Sequence, residues 1–434
     1  MDKQIFKVME AHNNDKLIVK CGNTKDALRD IAKKINFQYN ENWNTRTFGS
    51  KIITLLGGKE DGFAIKDEYI VLKHKSGRIS VFKVNPNCNN YHPFINALSY
   101  ESLNIIEVML CIDEKLKRED ELIELNKAKG DISSYSADRW VIHNIFKNSK
   151  TSKSSESPKS SESPKSPETA LNYHDILLQL RVIDAMYSTN MSRRYYGIEE
   201  LASTILEFNS YKELAKELHS YLEAISKNDS NAAKDKRIED LFNKSYGIHK
   251  NCSTAGVATS LASKYSYFAL MMCDDKYPNG FPIYDSLAKT MLPKVCEYLD
   301  MDCLWKGNGQ NLDIDTFLKQ VTALKDSLCI SRNMFNRQLY DILDAYLWTM
   351  GKINGGNFSL IMSRKDYETF IKNLGLDVDN QQNDNNDIEQ FNKTVLGGCK
   401  AKISKGESPF KGCDEEDFFD TLLEHLEEIT PAKQ

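Results

Sequence analysis

Apolar positions recur every three to four residues over residues 176–186, 201–208, 214–225, 287–299, 317–328 and 339–350. Residues 171–376 therefore predict six or more helices joined by short turns, a compact all-α domain. Before residue 147 the pattern is mixed. Residues 5–9 and 16–21 are short runs of strand composition. Thr24 stands as an expected N-cap ahead of Ala27, Leu28, Ile31, Ala32 and Ile35 at helical spacing. Residues 63–72 and 78–84 predict a hairpin around Lys75-Ser76-Gly77. Residues 1–146 thus read as a small α+β domain, and no family is evident in them.

Between these parts, residues 147–170 contain two overlapping copies of Ser-Ser-Glu-Ser-Pro-Lys-Ser, starting at Ser154 and at Ser160. With repeated prolines and almost no apolar side chain, this segment cannot bury a core and is expected to be a disordered linker. Its Ser-Pro-Lys units also admit contact with DNA phosphates. From Asp377 the chain turns to Asn, Asp and Gln, a second linker, with a short amphipathic helix expected over residues 417–429.

At 434 residues and 41% hydrophobic content the chain supports two ordinary cores plus flexible segments. No run approaches 18 consecutive apolar residues, so no membrane span is expected. Met1-Asp2-Lys3-Gln4 leads into no apolar signal region, which places the expectation in the cytoplasm. Ten scattered cysteines suit neither a disulfide framework nor a zinc site. The net charge of −5 disfavours nonspecific nucleic-acid binding only weakly. Eight acidic side chains lie beyond Lys411, leaving the middle of the chain less acidic.

In residues 42–51, Trp43, Arg46, Phe48 and Lys51 form a basic, aromatic segment. It reads either as a nucleic-acid contact or, more simply, as core aromatics flanked by solvated charges. Gly57-Gly58-Lys59 lacks the spacing of a phosphate-binding loop. The strongest chemical signal is Ser260-Leu261-Ala262-Ser263-Lys264, followed 21 residues after the lysine by Asp285 in Pro282-Ile283-Tyr284-Asp285. An amine of lowered pKa attacks a sugar C1′ or a carbonyl, and a nearby carboxylate stabilises the resulting cation. Read singly, Lys264 is a surface lysine at a helix start and Asp285 an N-cap.

This layout resembles the nucleophile region of helix-hairpin-helix DNA glycosylases, most closely the 8-oxoguanine DNA glycosylases. The segment Ser260 to Lys264 is similar to the hairpin that ends in that family's catalytic lysine, usually Gly-Val-Gly-Thr-Lys. Phe281-Pro282-Ile283-Tyr284-Asp285 resembles its Val-Pro-Val-Asp. Upstream, Tyr187-Ser188-Thr189-Asn190-Met191-Ser192-Arg193-Arg194 is similar to the family's Asn-rich turn before an arginine, a glycine (here Gly197) and an amphipathic helix. The resemblance implies an all-α glycosylase-like domain over residues 171–376, with Lys264 as nucleophile and Asp285 as the stabilising carboxylate. It implies that Asn190 fills the gap left by an extruded nucleotide while Arg194, or its neighbour Arg193, contacts the opposite base. Ser260 and Ser263 are expected at the DNA, and Tyr346 and Trp348 as stacking residues of a base pocket.

The family's hairpin glycines are replaced by Ser260 and Ala262, and Leu287 stands where the family often has a histidine. Cys296 and Cys303 have no partners for the iron–sulfur cluster that some of these enzymes carry. No metal or cofactor is expected. The implied activity is removal of a damaged or modified base from double-stranded DNA through a lysine Schiff base. The rival reading is a noncatalytic module on a glycosylase-like scaffold, binding DNA or protein, in a setting of repair or of defence against foreign DNA. A protein partner would meet residues 1–146 or the acidic tail.

Overall fold

A computed structural model describes residues 16–58, 62–74, 77–125, 132–151, 170–187, 189, 191, 194–227, 235–249, 257–273, 277, 279–309 and 312–354. The first part is a four-stranded antiparallel sheet, order β1-β4-β3-β2, made of β1 (Ile18–Lys20), β2 (Phe63–Lys66), β3 (Tyr69–Lys73) and β4 (Ile79–Val84). Side chains alternate across it. Tyr69, Val71, Ile79 and Val81 pack with helices α1 (Thr24–Lys34) and α2 (Thr45–Leu55), while Ile70, Leu72, Phe82 and Val84 belong to a second core on the other face. Covered on both faces, β3 is apolar at nearly every position rather than at every second one.

Two details differ from the sequence pattern. The N-cap of α1 is Asn23, whose side chain accepts the Asp26 amide at 3.2 Å, so Thr24 is already the first helical residue. Residues 63–72 are not one strand. Asp67 adopts φ 51° and turns the chain, so that Phe63 pairs with Leu72 and Lys66 with Tyr69. The expected hairpin survives as β3–β4. In residues 42–51 the core reading holds: Phe48 is buried and Tyr39 stacks on it at 4.6 Å, with the half-buried Trp43 packed on the same core, 6.1 Å from Phe37 and 6.3 Å from Phe48.

Helices α3 (Tyr91–Ala97), α4 (Tyr100–Glu124) and α5 (Ser134–Thr151) follow, so residues 147–151 are helical rather than part of a linker. The helix α4 joins the two halves. One stripe meets the sheet, and Glu107, fully buried on it, accepts the Ser80 hydroxyl at 2.7 Å and pairs with Lys20, Arg78 and His74 at 2.8, 2.9 and 3.1 Å. Burial pushes the Glu107 carboxyl up, but the Lys20 charge, the hydrogen bond with His74 and the Arg78 charge outweigh it and hold it well below the usual range.

The helices expected after residue 171 are present as α6 (Tyr173–Tyr187), α7 (Gly197–Leu206), α8 (Tyr211–Ser226), α9 (Lys236–Asn243), α10 (Thr259–Met271), α11 (Ser286–Tyr298), α12 (Ile314–Ser327) and α13 (Leu339–Asn354). A two-stranded ribbon, β5 (Arg194–Tyr195) with β6 (Ile248–His249), interrupts them. An antiparallel sheet followed by helices is the fold class observed. Packing is continuous across it: α4 lies against α13, α5 against α6 and α10, and one buried cluster runs from Leu17 to Met350. Among the described residues no helix is long and apolar enough to cross a membrane. Strand 5–9, the rest of the first linker and the expected helix at 417–429 lie outside the described residues.

The ribbon depends on one glycine. Gly247 has φ +75°, and a Cβ there would stand 2.8 Å from the Gly197 Cα and 2.9 Å from the Tyr195 carbonyl oxygen. Gly247→Ala should therefore cost about 1–3 kcal/mol for the left-handed backbone alone, with the backbone clash added, measured by chemical denaturation. A change below about 0.5 kcal/mol would show that the ribbon does not need this close approach.

Candidate active site

Helix α10 is buried around nearly its whole circumference, between α5, α6, α8 and α9. An apolar helix in that position is ordinary. Polar residues inside it are not, and Ser263, Lys264 and Ser266 are all buried. The extended segment 281–285 runs beside it. Ser263 accepts the Tyr284 amide at 3.0 Å, and Phe281 stacks on Phe242 with rings 5.6 Å apart. These contacts set Asp285 down beside α10, where it becomes the N-cap of α11.

The two ends of the Asp285 carboxylate do different things. Oδ1 accepts the Ala288 amide at 2.8 Å, and Oδ2 faces the Lys264 Nζ at 3.8 Å, an ion-pair distance too long for a hydrogen bond. The amine donates to the Ser260 hydroxyl at 2.9 Å and sits 5.4 Å from the centre of the Tyr187 ring. The Lys264 side chain is 3% exposed, that of Asp285 17%, so the carboxylate is the solvent-side member. Burial lowers the amine's pKa from its ordinary value, opposed by the charges of Asp285 and Asp344. Lys264 lies in the second turn of α10, not at its start.

A second acid completes the site. Asp344, buried on α13, accepts from the Tyr135 hydroxyl at 3.4 Å, and Tyr135 packs against Trp348 with ring centres 4.5 Å apart and tilted by 34°. Burial raises the Asp344 carboxyl well above the carboxylate range, Asp285 and Asp341 raising it further and Lys264 and Arg139 opposing. Its folded pKa exceeds the unfolded one, so the folded state holds the extra proton and wild type loses stability as pH rises above the ordinary aspartate value near 4. Asp344→Asn lacks that titration. Its melting temperature should match wild type in acid and exceed it increasingly towards neutrality. Parallel pH curves for the two proteins would contradict this.

The remaining expected site residues fall differently. Arg194 is half-buried on β5, its guanidinium donating to the Tyr246 carbonyl at 3.5 Å, and burial lowers its pKa. Asn190 and Arg193 lie outside the described residues. Their neighbours are tied down by Asp184, which accepts from the Thr189 hydroxyl and from the Met191 amide, the latter at 2.8 Å. Ser260 is partly exposed, whereas Ser263, expected at the DNA, has no exposed surface because its hydroxyl fastens segment 281–285. Tyr346, expected in a base pocket, is a core residue. Two positions from Asp344 on α13, it points to the opposite side of that helix, so its ring is unavailable for stacking. Trp348, one turn beyond Asp344, shares its face and is already packed against the Tyr135 ring.

Sequence reasoning missed Tyr135, Arg139 and the acids of α13. Arg139 is buried between the Asp341 carboxylate and the Tyr267 hydroxyl, each at 2.6 Å. The local signal was a polar residue at apolar spacing in Asp341 and Asp344, within an otherwise buried helix pattern. Among the described residues no three His, Cys, Asp or Glu side chains converge as a metal set. Compared with family models, curated proteins and solved structures, the chain has no match.

Proposed function

We propose that this chain is a DNA glycosylase with associated lyase chemistry, removing a damaged or modified base from double-stranded DNA by attack of Lys264 on the sugar C1′. One observation carries the reading: a buried lysine amine of lowered pKa 3.8 Å from a helix-capping carboxylate. A neutral amine is the nucleophilic form, and desolvation enlarges its population at neutral pH. Its nitrogen bonds to C1′ as the C1′–base bond breaks, and the base leaves with the electron pair and takes up a proton. The attached nitrogen then loses a proton, its electron pair forms the C1′=N bond as the C1′–O4′ bond breaks, and O4′ takes up a proton, leaving the ring-opened sugar as an iminium. Asp285 Oδ2 stands where positive charge develops and where the amine's proton departs. Asn190 and Arg194 are the proposed contacts to the opened duplex. In the conformation described the amine is enclosed, so DNA engagement has to displace its cover, the Ser260 hydroxyl and the Tyr187 ring.

Borohydride trapping on duplexes carrying an abasic site or an oxidised base tests this. The wild-type protein should yield a covalent adduct that maps to Lys264. Asp285→Asn should keep its fold, because asparagine caps a helix as well as aspartate, yet slow adduct formation by about 100-fold or more without weakening DNA binding. The enclosure of the amine favours a second reading, a noncatalytic module that binds modified DNA or a protein partner. Binding without adduct on every substrate, unchanged in Asp285→Asn, would establish it.

A further inference from the structure

Away from Lys264, the opposite end of α11 carries two thiols that the proposed chemistry does not use. Cys296 is fully buried on the last turn of α11, and Cys303 is half-buried in the loop beyond it. The loop returns on itself because Asp300 adopts φ 54° just past the helix, and the Met301 amide bonds back to the Cys296 carbonyl at 2.8 Å. Gln320, buried on α12, then clamps it. Its amide donates to the Cys296 sulfur at 3.2 Å and to the Asp302 carbonyl at 3.0 Å, while its oxygen accepts the Leu304 amide at 2.9 Å. The residues on either side of Cys303 are thereby held against Cys296, which brings the two thiols within reach of each other.

We propose that Cys296 and Cys303 form a peroxide-reactive dithiol, with Cys303 attacking and Cys296 resolving to an intramolecular disulfide. The chemistry balances in two steps. The Cys303 thiolate attacks a hydroperoxide oxygen, forming the S–O bond of a sulfenic acid as the O–O bond breaks. The other oxygen leaves as hydroxide or alkoxide and takes a proton from solvent. The Cys296 sulfur then attacks the sulfenic sulfur, the S–O bond breaks, and hydroxide leaves with the Cys296 proton as water. Two thiols are oxidised and one peroxide is reduced.

The surroundings assign the roles. The Cys296 hydrogen bond and the Leu304 and Trp305 amides pull the Cys303 thiol down to about 7, against its partial burial. Donating that bond to Cys303, and burial, push the Cys296 thiol up. Cys296 is therefore inert until oxidation removes the charge on Cys303, which is the order the reaction needs.

The test uses the full reduced chain and hydrogen peroxide, followed by alkylation of free thiols and peptide mapping. Wild type should become two hydrogen atoms lighter, with a Cys296–Cys303 linked peptide. Cys296→Ser should instead accumulate a sulfenic acid at Cys303 that dimedone traps, and Cys303→Ser should leave Cys296 unmodified. Alkylation of Cys303 in the reduced protein should reach half its maximal rate near pH 7. Peroxide that modifies other cysteines first, leaving Cys296 and Cys303 both free to alkylate, would overturn the proposal. So would a disulfide from either residue to a different partner. Both variants keep Gln320 and the loop, and melting curves matching wild type exclude misfolding as the cause of any loss.

Discussion

Lys264→Gln should abolish both base release and the borohydride-trapped adduct while leaving DNA affinity within about tenfold of wild type, since it removes one charge from a surface that binds with several. The amide keeps a polar group on a side chain one atom shorter but has no nucleophilic pair on nitrogen. Loss of chemistry with a retained fold therefore identifies the amine itself. In wild type the adduct rate should rise with pH, because the attacking form is the neutral amine and burial lowers its pKa below 10.5. Stability follows the same sign. Between the lowered folded value and 10.5 the unfolded chain binds more protons, so wild type should gain stability on Lys264→Gln as pH rises through that window. An adduct formed equally by Lys264→Gln would remove this residue from the chemistry and leave the assignment of Asp285 without a purpose.

The largest effect on stability is expected one layer behind the site, at Asp341. Its carboxylate takes the buried Arg139 guanidinium at 2.6 Å and Arg337 at 3.4 Å. Asp341→Ala leaves Arg139 enclosed with the Tyr267 hydroxyl and the faces of the Tyr135 and Tyr267 rings, 5.4 and 5.8 Å away. Stranding a buried charge in this way costs about 3–5 kcal/mol. Burial pushes the Asp341 pKa up, but Arg139 and Arg337 outweigh it and hold it below the ordinary value. With the folded pKa lowered, the stabilisation is present above the unfolded value near 4 and is lost as pH falls through the folded one. Urea titrations should therefore show the gap between wild type and Asp341→Asn closing in acid. A loss under about 1 kcal/mol in Asp341→Ala at neutral pH would mean that water or Arg337 alone satisfies the buried cation.

The same helix marks where sequence reading stops. The period of apolar residues in residues 339–350 located α13, as it did α6, α7, α8, α11 and α12, because contacts three and four residues apart are made within one segment. Asp285 was recognisable as an N-cap for the same reason: its bond to the Ala288 amide spans three residues. Turn chemistry was legible less well. Residues 63–72 read as one strand, and the polar Lys66-Asp67-Glu68 in their middle is where Asp67, at positive φ, divides them.

What the period could not decide is which side of a buried helix meets which partner. Tyr346 and Trp348 had equal claims as aromatics at helical spacing, yet one is core and the other shares a face with Asp344. Ser263 looked like a surface residue of the hairpin until segment 281–285 was laid against it. The contacts of Arg139 with Asp341 and of Tyr135 with Asp344 join positions more than 200 residues apart. Nothing local selects such partners. They meet because α4 and α5 pack into the helical layer and close one core over both halves of the chain, and burial there lowers the pKa of Lys264 and raises that of Asp344. The residue types of the site were written in the chain, but their protonation and mutual contact come from that packing, because desolvation is a property of everything that surrounds a group.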